Sequence, residues 1–215
     1  MNRPKLSAIF FVFSCLSTGI FGASQSVLTV DATKQPSPPA RARGPFPGST
    51  SPGHSDGLPI RLELVVPNGE LRPDGSLLVD FVITNVGTEP ISVPSSLNQN
   101  IEQPMSVLTL WLTSDAILDQ FAKDQQTGQL FKIEIVGTSA KLYSRNDDPQ
   151  TFKVLAPTKS ILVHASSRVS LNPGTHSITA HAELLRISNG TSQPVGTADS
   201  EALTKTLSKS NPSPR

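Results

Sequence analysis

Apolar and polar side chains alternate with a period of two along much of this chain. Ile60, Leu62, Leu64 and Val66 are apolar while Arg61 and Glu63 between them are charged, which predicts a strand with one face on a core. Leu77 to Thr84 repeats the pattern, with Val79, Phe81 and Ile83 on one face and Asp80 and Thr84 on the other. Ser106 to Thr113 carries bulk on both faces, Leu108, Leu110 and Leu112 against Val107, Thr109 and Trp111, so it is expected at the centre of a sheet. Leu130 to Val136 alternates again, shorter runs follow near 142–143, 151–155, 161–163 and 168–171, and Ile178, Ala180, Ala182 and Leu184 oppose Ser177, Thr179, His181 and Glu183. A last strand is expected near Glu201 to Leu207.

Turn chemistry separates these runs. Asn68-Gly69, Arg72-Pro73-Asp74-Gly75 and Ser188-Asn189-Gly190 combine residues that tolerate positive φ with a proline that presets φ. Pro94 stops the short run Ile91-Ser92-Val93 or marks it as a sheet edge. One departure from period two occurs at 114–123, where Ser114 can cap a short helix with Ile117, Leu118 and Phe121 on one face. Many short strands at turn-rich intervals predict an all-β fold, an antiparallel immunoglobulin-like β-sandwich over 58–207.

Two segments resemble bacterial immunoglobulin-like domains. Val79 to Ile91, with Asn85-Val86-Gly87 followed by Pro90-Ile91, is similar to their B-to-C strand corner. Leu171-Asn172-Pro173-Gly174-Thr175-His176 resembles the Pro-Gly-x-Tyr entry to their penultimate strand, with His176 in place of tyrosine. The resemblance implies fold rather than activity. Because some small proteins of that kind block proteases through a protruding loop, it also leaves a proteinase inhibitor as the alternative reading.

The ends of the chain differ from its middle. Arg3 and Lys5 precede an uncharged apolar run from Leu6 to Gly22, and Gly22-Ala23-Ser24 supplies the small residues of a cleavage site, so residues 1–24 read as a secretory signal peptide. Val12-Phe13-Ser14-Cys15 resembles a degenerate lipoprotein box, which leaves lipidation of Cys15, or retention of an uncleaved signal, as the routes to a membrane. Residues 25–59 hold Pro36, Pro38, Pro39, Pro45, Pro47, Pro52 and Pro59 among glycines and serines, and read as a disordered linker presenting the domain. Residues 208–215 read as a disordered tail.

Composition narrows the function further. With a net charge of +1 and no basic cluster, phosphate-backbone binding is not expected. A single cysteine excludes a disulfide framework and a multi-thiolate metal site. No nucleophile elbow, phosphate loop or dinucleotide fingerprint occurs, so neither an enzyme nor a cofactor is expected. His176 reads as a hydrogen-bonded corner residue and His181 as a solvated strand residue. Asn146, Asp147, Asp148 and Pro149 form the only acidic cluster. They read as a candidate contact loop, with an Asx turn favoured over a calcium site. Trp111 is the candidate surface aromatic, with packing favoured over sugar stacking. The expectation is an exported, secreted or periplasmic binding or structural module whose partner is a protein or envelope component. Its contact surface would be the 146–150 loop or the edge strand at Ile91 to Pro94.

Overall fold

The computed structural model describes residues 28–35, 55–101, 105–115, 139–145, 147–168, 171–188 and 190–210. They form thirteen strands in chain order: β1 (Leu28–Ala32), β2 (Ser55–Asp56), β3 (Ile60–Val65), β4 (Glu70–Leu71), β5 (Ser76–Asn85), β6 (Ile91–Pro94), β7 (Ser106–Ser114), β8 (Ala140–Ser144), β9 (Phe152–Leu155), β10 (Ser160–Arg168), β11 (Gly174–Ser188), β12 (Thr191–Asp199) and β13 (Leu203–Lys209). The fold is all-β, with one 3-10 turn among the described residues, at Pro149–Thr151.

The alternation read in the sequence sets which side chains turn inward. Along β5, Leu77, Val79, Phe81 and Ile83 are at most 1% exposed, and on β3 Ile60, Leu62 and Leu64 are buried while Arg61 and Glu63 pair outside at 2.7 Å. Strand β7 lies between β11 and β8, the central position its two bulky faces called for. The turn at 72–75 closes as its residues dictate: Gly75 N donates to Arg72 O at 2.8 Å with φ +77°, and Asp74 Oδ1 accepts from both Ser76 N and Ser76 Oγ. Inward residues of β1, β3, β5 and β10 and those of β7, β8, β11 and β13 share one apolar cluster. Each large side chain in it, Phe81 or Ile178 for example, contributes about 1.5–3 kcal/mol by leaving water.

The pairing is mixed rather than purely antiparallel. Eleven strands form one hydrogen-bonded sheet, eight of them along the path β1-β10-β5-β4-β13-β11-β12-β2 and β3, β7 and β8 branching from it; β6 and β9 form a separate pair, and two ladders are parallel, β1 with β10 and β4 with β13. A parallel pair needs a long crossover instead of a hairpin, and the chain supplies one between β1 and β10.

Strand β1 also corrects the reading of residues 25–59 as a linker. Leu28 to Ala32 pairs residue for residue with Ile161 to Ala165, and Val30 and Ala32 are buried, so the sheet begins before the proline-rich stretch in the chain. Residues 36–54 lie outside the described residues. At the other end β13 runs to Lys209, and Ser210 N donates to Leu71 O at 2.9 Å, two residues past the start expected for the tail. The signal segment 1–24, the strand expected at 130–136 and, beyond Asp115, the helix expected at 114–123 lie outside the described residues. Among the described residues no helix is long and apolar enough to cross a membrane.

Candidate functional site

The site begins with one buried side chain at the end of β5. Asn85 is fully buried, and its amide Nδ2 donates to Leu155 O at 2.9 Å and to Glu89 O at 2.8 Å while Oδ1 accepts from Gly87 N at 2.9 Å. Its backbone completes the junction, with Asn85 N donating to Lys159 O and Asn85 O accepting from Thr158 N, each at 2.9 Å. Asparagine is suited to this place because its carboxamide donates and accepts at once, so no buried polar atom is left unpaired. The Asn-x-Gly turn therefore fixes β9 to the end of β5. β9 in turn holds β6 through the register Ile91↔Leu155 to Pro94↔Phe152.

Beside β6 the molecule has an apolar groove of about 190 Å³. Its lining includes Leu58 and Pro59, Ile91, Val93 and Pro94 of β6, Leu184 of β11 and Val195 of β12. Val93 is buried, Ile91 partly so, and Val195 is 38% exposed, so the groove opens outward at its β12 rim. Among the described residues β6 pairs with β9 alone. Two of the lining segments cross closely. A Cβ on Gly196 would run into the Asp56 carbonyl oxygen and lie 2.8 Å from Leu58 Cγ, and a Cβ on Gly57 would lie 2.7 Å from Val195 O. Only glycine lets the 56–58 segment pass this close to β12.

The candidate loop lies elsewhere, past the end of β8. Arg145 holds Asp147 with both nitrogens, Nε to Oδ1 at 2.9 Å and Nη2 to Oδ2 at 2.5 Å, and the side-chain hydrogen bonds from that guanidinium hold the Asp147 carboxyl below the usual carboxylate range. Asp148 caps the 3-10 turn by accepting from Gln150 N at 3.0 Å, and Pro149 opens that turn. Asn146 lies outside the described residues. Both carboxylates thus have local partners, Asp148 in an Asx turn and Asp147 in a side-chain ion pair. Among the described residues no group of three or more His, Cys, Asp or Glu side chains is arranged to hold a metal ion.

Trp111 is half-buried and stacks on His181 across the β7–β11 ladder, with ring centroids 5.6 Å apart and planes 20° apart. His181 is not the solvated residue its outward position suggested. Its Nδ1 meets Asp199 Oδ1 and its Nε2 meets Thr113 Oγ1, both at 2.6 Å. The ring thus bridges Asp199 and Thr113, and which way each hydrogen bond runs follows from its tautomer. Thr113 is 6% exposed, and the row locks the outer face of β7, β11 and β12. A second cross-strand pair, His164 Nδ1 to Asp80 Oδ1 at 2.6 Å, sits on the face formed by β10 and β5. His176 is the expected corner residue, with Nε2 bound to Asn172 O at 2.9 Å.

The structure therefore leaves Trp111, the 147–149 loop and the Ile91 to Pro94 strand as three separate places. The strand at Ile91 to Pro94 borders the groove. The groove itself was hidden in the sequence because its lining comes from residues 57–60, 83, 91–94, 108, 184 and 195. No protein-family model matches the chain, and a search of curated proteins finds no significantly similar sequence.

Proposed function

We propose that this chain is an exported, non-enzymatic binding module with an immunoglobulin-like sandwich architecture. It receives an extended apolar segment of a protein partner in the groove beside β6. The observation that carries this reading is the groove: an apolar recess of about 190 Å³ next to a strand that, among the described residues, pairs with β9 alone. Small-molecule pockets usually measure about 300–1,000 Å³, so the recess suits one or two side chains of a peptide better than a drug-sized ligand. An extended peptide beside β6 would combine main-chain hydrogen bonds with an anchoring side chain, the logic of strand addition. The signal-like N-terminus and the two immunoglobulin-like segments support export and architecture. The presentation role expected of residues 25–59 is not part of the proposal, because β1 ties that stretch down at its start.

Val195→Asp tests the reading, since it places a charge on the exposed rim without emptying the core. The tagged full chain is incubated with extracytoplasmic extract, and retained proteins are compared between the parent and this variant. Loss of a near-stoichiometric partner on Val195→Asp, with retention when 147–150 is replaced by glycine and serine, is the expected result. A partner that survives Val195→Asp and is lost with the loop would overturn it, and a retained protease that is inhibited would turn the reading toward an inhibitor.

A further inference from the structure

The segment Leu28 to Gln35 is attached to the domain as a self-contained strand with its own clasp. β1 runs parallel to β10 with five residues in register, Val30 and Ala32 point into the core, and beyond them the Gln35 carboxamide grips a second strand. Gln35 Nε2 donates to Lys141 O at 2.9 Å and Gln35 Oε1 accepts from Lys141 N at 3.0 Å, as a neighbouring strand's backbone would. That grip completes a row along the outer edge of β8. Tyr143 exchanges both backbone hydrogen bonds with Ser96, and Thr151 Oγ1 accepts from Arg145 N at 2.8 Å while donating to Asp148 O at 2.6 Å. Alternate residues 141, 143 and 145 are thus each capped by a different segment, the kind of blocked edge that prevents further strand addition.

We propose that the β10 edge and the Lys141 backbone form an acceptor for the pattern Val30-x-Ala32-x-x-Gln35, and that a second copy of this chain supplies that strand by reciprocal exchange. Every contact holding β1 would be identical whether the strand came from the same chain or from its neighbour, so exchange costs no contact energy. The connection permits it, because residues 36–54 fully extended span roughly 60 Å. A domain of this size has a radius of gyration of about 15 Å, so that reach exceeds its width. Competition is then set by effective concentration, which for a tethered segment is on the order of millimolar. The monomer prevails in dilute solution and the exchanged dimer where copies are crowded.

Thr29 lies opposite Leu162 in the register, and paired Cα atoms in a sheet fall within disulfide range. The experiment uses the full chain carrying Cys15→Ser, Thr29→Cys and Leu162→Cys, refolded and oxidised at about 10 µM and at about 1 mM, concentrations that bracket the effective concentration. The expected result is an intramolecular link at the lower concentration and a disulfide-linked dimer, about half of the protein, at the higher. Only the intramolecular link at both concentrations would overturn the proposal, as would equal dimer from the single Thr29→Cys chain. If the pair does not oxidise, two differently tagged parent copies refolded together decide the matter. Co-retention that rises with concentration and is abolished by Val30→Asp supports exchange, and its absence refutes it.

Discussion

Replacing Asn85 with alanine removes three hydrogen bonds from one side chain and leaves the rest of the turn in place. The bond to Leu155 O is buried, while those to Glu89 O and Gly87 N are partly exposed and can be rehydrated. Taking about 2 kcal/mol for the buried carbonyl left without a donor and about 1 kcal/mol for each of the others gives a loss near 4 kcal/mol. That is a large share of the roughly 5–15 kcal/mol that holds a domain together. The chain has one tryptophan, Trp111, so urea unfolding can be followed by its fluorescence without ambiguity. With an m-value of about 2 kcal/mol/M the midpoint should fall by about 2 M. Val86→Ala, one residue on and 53% exposed, is the control and should move the midpoint little, as surface changes stay within about 0.5 kcal/mol. Asn85→Asp keeps the acceptor for Gly87 N but turns a carboxylate toward two carbonyl oxygens. Its burial raises the carboxyl pKa in the folded state, so its destabilisation should be small at acidic pH and grow as the pH rises toward neutrality. A midpoint for Asn85→Ala within about 0.5 M of the parent would show that the turn, and the placing of β9 and β6, does not depend on this amide.

Four further outcomes are expected. Tyr143 is the single tyrosine, and burial raises its phenol above the ordinary value near 10. Stability from this group is therefore present below the unfolded pKa and lost as pH rises through the folded one, and the phenolate absorbance should appear at higher pH in the native chain than in concentrated guanidinium; coincident curves would contradict it. Asp147, held low by Arg145, should titrate nearer the usual carboxylate range in Arg145→Ala when followed by carboxyl NMR, with its small contribution in the parent present above that range and lost as the pH falls through the depressed pKa. Thr158, at φ +65° with Lys159 N bonded to Ala156 O, occupies a conformation that β-branched residues resist, so Thr158→Gly should stabilise the domain by about 1 kcal/mol in the same urea assay. Gly196→Ala should cost about 1–3 kcal/mol by overpacking and speed hydrogen exchange at 55–58, where its Cβ would meet backbone; unchanged exchange there would argue against a tight crossing.

What the sequence made legible follows from what kind of signal each element carries. Strands β3, β5, β7 and β11 each bury one face against the common cluster, so their alternation survives in the residues. Strand β12, Thr191 to Asp199, escaped because Pro194 and Gly196 interrupt it and its first five residues are exposed, leaving no apolar period to read. With β12 unseen, nothing could place Asp199 opposite His181, and the histidine read as solvated. Strand β1 does alternate, Leu28, Val30 and Ala32 against Thr29 and Asp31, but it is short and stands beside a proline-rich stretch whose composition dominated the reading. The Asn85 turn was visible as a pattern, whereas its role as the junction between β5 and β9 depends on Leu155 O, seventy positions away in the chain. The groove is wholly a product of topology, since no two of its walls are neighbours in sequence.

The most direct measurement on the central claim is methyl NMR of the labelled full chain titrated with a capped hexapeptide of alternating leucine and serine. The account predicts saturable shifts at Ile91, Val93, Leu184 and Val195 that disappear in Val195→Asp, with the Val30 methyls unmoved. Shifts centred on Trp111 or the 147–150 loop, or none at the groove while other sites respond, would contradict it.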